Sequence, residues 1–274
     1  MRKFVIAGVA FATLIGSPAF AADMALKAPA APTYAAPPTW TGFYIGANGG
    51  YGWSQETTTA DPFQNFTTAT PVIPPFGISQ QLSGALAGVQ LGYNYQMSSW
   101  VLGVEGDFDG AGLNNSSQVV VLDPLGGAGG TATDGFMAHE DIQWLATVRG
   151  RLGYTWGPSM LYATGGGAWE GVKDTYLLST DAAASSIFSA SSGASITTTR
   201  SGWVVGGGFE WMISSNWIAR LEYLHYGFNN GTSTVSLPVT CAGFSANSAC
   251  GSNATSSNNG IDAVRVGLSY KFGR

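Results

Sequence analysis

The chain of 274 residues is poor in charge, with 11 basic against 16 acidic residues and a formal net charge of −5. Lysine is confined to Lys3, Lys27, Lys173 and Lys271. The basic surplus that grips a nucleic-acid backbone is missing, which excludes nucleic acid as a partner. Long apolar runs are missing too. The run over residues 4–15 holds about 12 apolar residues, short of the ~20 a membrane-spanning helix needs, and no later segment reaches that length without Gly or polar interruption. Histidine is limited to His139 and His225, and cysteine to Cys241 and Cys250. What abounds instead is glycine, 39 residues in all, and aromatic side chains, at 12%.

Arg2 and Lys3, the apolar run, then Ser17, Pro18 and Ala19-Phe20-Ala21 form a secretory signal with a small-residue cleavage site, expected to span residues 1–21. Residues 22–39 follow as an Ala/Pro-rich periplasmic linker, because Pro29, Pro32, Pro37 and Pro38 stiffen the chain and cannot donate to a sheet. Two cysteines behind such a signal point to an oxidising compartment and one disulfide, Cys241–Cys250.

From residue 40 the apolar side chains repeat every second position. Phe43, Ile45, Ala47, Tyr51 and Trp53 share one parity, and Gly42, Tyr44, Gly46, Asn48 and Gly50 the other. A period of two is a β-strand, and the length suits a strand crossing a bilayer, which needs roughly 9–11 residues. The same reading gives eight strands, at residues 40–54, 84–96, 101–109, 141–154, 161–169, 203–211, 217–226 and 264–272. Short turns near 97, 157 and 214 alternate with long stretches near 55–80, 110–139, 170–200 and 229–260. Short periplasmic turns and long extracellular loops mark outer-membrane barrels. The expected fold is therefore all-β, an eight-stranded antiparallel up-and-down transmembrane β-barrel over residues 40–274. It belongs in the outer membrane of a Gram-negative bacterium.

The apolar parity carries aromatic residues at both ends of the strands, with Trp100, Tyr154, Trp211, Trp217, Tyr270 and Phe272 at the periplasmic side and Trp53, Phe108, Trp144, Trp169 and Trp203 at the other. These are the two aromatic girdles of a lipid-facing belt. The opposite parity collects Glu105, Asp107, Arg149, Arg151, Glu210, Arg220, Glu222, Arg265 and Lys271. Charges of both signs in a narrow lumen predict a salt-bridge network that fills the barrel, rather than a filter of one dominant sign. Which acid meets which arginine is left open by parity.

The motifs Trp40-Thr-Gly-Phe-Tyr-Ile-Gly46, Leu161-Tyr-Ala-Thr-Gly-Gly166, Ala219-Arg-Leu-Glu-Tyr223 and Val264-Arg-Val-Gly-Leu268 resemble the small outer-membrane surface-antigen barrels of alphaproteobacteria, a porin-like family with an outer-membrane β-barrel domain. The resemblance implies roles in envelope integrity and surface exposure and transfers no catalytic residues. The last strand also resembles the C-terminal signal by which such barrels are recognised for insertion, although Gly273-Arg274 follow its aromatic residue.

The expected function is a structural barrel and surface antigen, with a passive channel for small solutes as the alternative. An outer-membrane lipid-modifying enzyme or a haem binder is less favoured. Glu210 and Glu222 are a poor glycosidase pair, since neighbouring arginines favour the ionised carboxylate. His225 points to lipid by parity, and His139 alone on the rim makes half a dyad at most. No cofactor and no metal is expected. The expected partners are outer-membrane lipid and lipopolysaccharide and, through the last strand, the barrel-assembly machinery, with the protein itself a monomer.

Overall fold

The computed structural model describes residues 39–64, 76–123, 132–180, 192–228, 233–239 and 250–273. The expected signal, the linker up to residue 38 and Cys241 lie outside the described residues, as does the Cys250 side chain.

The strands are β1 (Gly42–Gln64), β2 (Phe76–Met97), β3 (Trp100–Asp123), β4 (Ala132–Trp156), β5 (Ser159–Thr180), β6 (Ser192–Met212), β7 (Trp217–Phe228), β8 (Ser233–Val239) and β9 (Cys250–Lys271). Each pairs antiparallel with its neighbour in the order β1-β2-β3-β4-β5-β6-β7-β9, and β9 returns to β1. Eight strands thus close a ring, which leaves the membrane-spanning part of the wall no open edge.

At one end the connections are tight. Met97 pairs with Trp100 and Trp156 with Ser159 across two-residue turns. In the second turn Gly157 takes φ +59° ahead of Pro158, the positive-φ first position that a II′ hairpin needs. The third turn closes where Ile213 N–H donates to the Trp217 carbonyl at 2.9 Å, and Asn216 ties it to β9 by accepting the Lys271 backbone N–H at 2.7 Å.

At the other end the strands run further than periodicity indicated. β1 is 23 residues long, β3 24 and β4 25, about twice the ~9–11 residues that cross a bilayer. Much of what reads as loop is strand wall standing beyond the membrane belt. The reason lies in the residues themselves, because Thr57-Thr58-Thr59, Val119-Val120-Val121 and Ile196-Thr197-Thr198-Thr199 are β-branched and favour extended backbone even without an alternation of apolar and polar positions. β8, within the stretch expected as the last loop, adds a short strand to the outer end of β9, with Ser233 opposite Ser256 and Val239 opposite Cys250. Since β1 fills the other edge of β9, β8 takes up the edge that β7 leaves after Tyr226 and continues its place in the wall.

One parity assignment is corrected. Ile142 shares the parity of Trp144, which alternation alone would place on the lipid side, but the register slips between Ile142 and Trp144 against both neighbouring strands. Against β5 the extra residue is Gln143, and Ile142 turns inward, where it is fully buried, while Trp144 stays outside and stacks on Phe108 at 5.9 Å.

Candidate functional site: the barrel lumen

β3 crosses every layer of the lumen. Its inward residues are Val101, Glu105, Asp107, Asp109 and Leu113, in that order from the tight-turn end, and all are buried. Around Val101 lie Trp40, Met160, Tyr162, Met212 and Ile218, an apolar floor. Around Leu113 lie Leu82, Leu86, Ile142, Leu145, Leu224 and Ile261, an apolar ceiling. The charges sit between them, away from water at both ends.

Within this layer Arg149 on β4 holds three acids: Glu105 at 2.6 Å, Asp107 at 2.7 Å and Glu222 at 2.8 Å. Arg220 on β7 forks onto both oxygens of Glu105, at 2.8 and 2.5 Å, and reaches Glu210 with Nε at 2.7 Å. Arg151 forms an ion pair with Glu210 at 2.7 Å and lies 4.1 Å from the centre of the Tyr162 ring. Arg265 on β9 bonds Glu222 at 2.6 Å, Asp107 at 3.1 Å and also Asp109. Neutral donors complete the acids: Tyr44 to Glu105 and Thr147 to Asp107, both at 2.5 Å, and Tyr162 to Glu222 at 2.8 Å. Ionised partners in forked geometry make the strongest class of hydrogen bond, and in a dry interior their net value depends on every lone pair being met.

The topology gives the Glu105–Arg220 fork its meaning. β3 and β7 stand four places apart in a ring of eight, so this ion pair bridges opposite walls and lies straight across the bore. Small inward positions make room for it. A Cβ on Gly92 would strike the Tyr44 ring, and one on Gly50 would strike the Arg265 stem.

The structure brings together eight of the residues picked out by parity: Glu105, Asp107, Arg149, Arg151, Glu210, Arg220, Glu222 and Arg265. Lys271 is buried near the tight-turn end, where its Nζ donates to the Gly273 carbonyl at 3.4 Å. Parity sets Asp109 beside Glu105 and Asp107, and Tyr44 on the inward face, but the predicted charge network includes neither of them, nor Tyr162. Sequence reasoning also passed over a second buried group on the β4–β5–β6 wall, where Arg200 lies 3.4 Å from Glu140 and 3.6 Å from both Glu170 and Asp174. Those residues fall in or beside stretches read as loops.

Of the two histidines, His139 is half-buried and bonds Ser116 Oγ at 2.8 Å. His225 faces outward and bonds Asp262 at 2.7 Å. Among the described residues no group of three His, Cys, Asp or Glu side chains has the arrangement of a metal site.

A closed antiparallel barrel with an aromatic-edged apolar belt outside and paired charges inside defines the class of outer-membrane β-barrels. The chain belongs to the family of the outer membrane protein beta-barrel domain, which matches residues 9–272. It is similar to the 31 kDa outer-membrane immunogenic protein of Brucella melitensis, at 33% identity over 99% of this chain and 100% of the relative. It is also similar to the 22 kDa outer membrane protein of Rhizobium leguminosarum, at 28% identity over 70% of this chain and 66% of the relative. Among solved structures it resembles the outer membrane protease OmpT of Escherichia coli at 10% identity and a TM-score of 0.47, covering 84% of this chain and 97% of that one. These relatives place the protein in the outer membrane of a Gram-negative bacterium.

Proposed function

We propose that the protein is a closed structural barrel, a stable wall that spans the outer membrane and displays its outer strands and loops as a surface antigen. The reading rests on one observation: ion pairs cross the bore between opposite walls, under one apolar layer and over another. A porin keeps a water-filled channel with charges along its rim, whereas here the arginine forks meet at the centre. No catalytic role is assigned to the lumen carboxylates, each of which is held by an arginine. The barrel works as a monomer in lipid and lipopolysaccharide, and its last strand engages the assembly machinery.

Liposome swelling tests this reading. Proteoliposomes carrying the refolded protein are expected to swell in isotonic arabinose or glycine no faster than empty liposomes. Swelling that rises with protein content and falls with solute size would establish the passive channel instead.

We also propose a Cys241–Cys250 disulfide. Thiol titration of protein isolated without reductant is expected to find no free thiol, and reduction to cost roughly 2–3 kcal/mol of local constraint without melting the barrel wall. Two titratable thiols in the untreated protein would remove the disulfide from the account.

A further inference from the structure

The outer surface carries a polar cluster on β7 and β9 where the alternation calls for lipid. Asp262 shares the outward parity of Val264, Val266 and Leu268 on β9, yet it is a carboxylate. His225, directly across on β7, bonds its Oδ1 through Nδ1 at 2.7 Å, and the Tyr223 hydroxyl donates to the same oxygen at 2.6 Å. Both bonds use Oδ1, which leaves Oδ2 for a further donor, and His225 keeps Nε2. Side-chain exposure is 35% for His225 and 29% for Asp262. Tryptophans flank the pair: Trp203 packs on the His225 ring at 5.6 Å, and Trp53 stands opposite Asp262 on β1. The backbone yields here as well. Gly260 takes φ +109°, and a side chain there would crowd the His225 ring edge.

Towards the membrane centre a furrow of about 470 Å³ opens over Gly207, walled by Leu161, Phe209, Leu221, Tyr223 and Val264. Tyr223 belongs to both features, as furrow wall and as donor to Asp262. A similar furrow of about 480 Å³ lies on the other side, between Ile45, Val89, Leu91, Val148 and Trp169, and above it Phe108 stacks on Trp144 with no carboxylate between them.

We propose that the β6–β7–β9 face is a binding site for one saccharide-headed lipid of the outer leaflet. One acyl chain lies in the furrow over Gly207. The sugar sits at the girdle, where hydroxyl or amide groups donate to Asp262 Oδ2 and an apolar sugar face packs on Trp203 and Trp53. A carboxylate ringed by indoles suits a neutral polyol. It suits a phosphate poorly, since the node offers one imidazole and no lysine or arginine. A carboxylate on the lipid face carries a cost that depends on depth, and it is tolerable at this level when a headgroup covers it. The inference rests on the outer-membrane placement and not on whether the lumen conducts.

Native mass spectrometry of the refolded barrel in detergent, titrated with lipid A, fully dephosphorylated lipid A or phosphatidylglycerol, tests it. Wild-type protein is expected to retain one molecule of either form of lipid A and to release phosphatidylglycerol. Asp262→Asn and Tyr223→Phe are expected to lower lipid A affinity about tenfold, and Val148→Ala in the other furrow to leave it unchanged. Heat-dependent gel mobility certifies that each variant is folded, and Tyr223→Phe, which removes one hydroxyl, serves if Asp262→Asn does not assemble. Retention that requires the phosphates, equal retention of phosphatidylglycerol, or affinity unmoved in folded Asp262→Asn and Tyr223→Phe would overturn the proposal. These outcomes leave the closed-barrel reading standing, since that reading is decided by solute flux.

Discussion

Arg149→Ala is expected to lower the unfolding free energy of the detergent-refolded barrel by about 3–5 kcal/mol in urea titrations. Arg149 alone links Glu105, Asp107 and Glu222, carboxylates from β3 and β7. Its truncation leaves the cluster one guanidinium short, with Glu105 held by Arg220 and both Asp107 and Glu222 by Arg265, in a layer without access to bulk water. The cost is that of an uncompensated buried charge, not of one lost contact. Arg149→Lys keeps the charge but loses the planar fork, and its loss is expected to fall between wild type and Arg149→Ala. A change below about 1 kcal/mol for Arg149→Ala would mean that water solvates the acids, as it does in an open pore.

Leu113→Ala is expected to cost about 2–5 kcal/mol, because the residue is fully buried in the apolar ceiling and faces Ile142, which is equally buried. Lipid tails refill a gap on the outer face, whereas nothing refills one in the lumen. Val148→Ala, on a side chain 62% exposed to the membrane, is therefore expected to cost far less in the same titration. Leu113 and Ile142 share one contact, so the double alanine variant is expected to lose less than the sum of the single losses. Equal effects at Leu113 and Val148 would show that the ceiling is not packed.

Parity made the barrel wall legible wherever one face meets lipid and the other meets charge. Phe43 to Trp53 and Val264 to Phe272 alternate without a break, and the structure places them in paired strands with outward aromatic residues. Parity fails where a residue is inserted. Gln143 does this to β4, and the sequence around it carries no glycine or proline to mark the slip. It also falls silent beyond the membrane, where both faces meet water or polar groups and Thr-rich strand reads as loop. The inward face was readable, but its partners were not. Glu105 and Arg220 lie 115 positions apart, and only the closing of the ring sets β3 opposite β7. Asp262 went unread for a related reason: it sits just before the clean alternation that begins at Val264, and one carboxylate does not disclose that His225 and Tyr223 lie beside it.

The claim that the barrel is filled is tested most directly by single-channel recording of the refolded wild-type protein in planar bilayers. The account predicts no stepwise current at ordinary voltages, because the Glu105–Arg220 bridge and the two apolar layers leave ions no hydrated path. Stable, reproducible conductance steps whose ion selectivity changes in Arg149→Ala or Arg220→Ala while stability does not would contradict it.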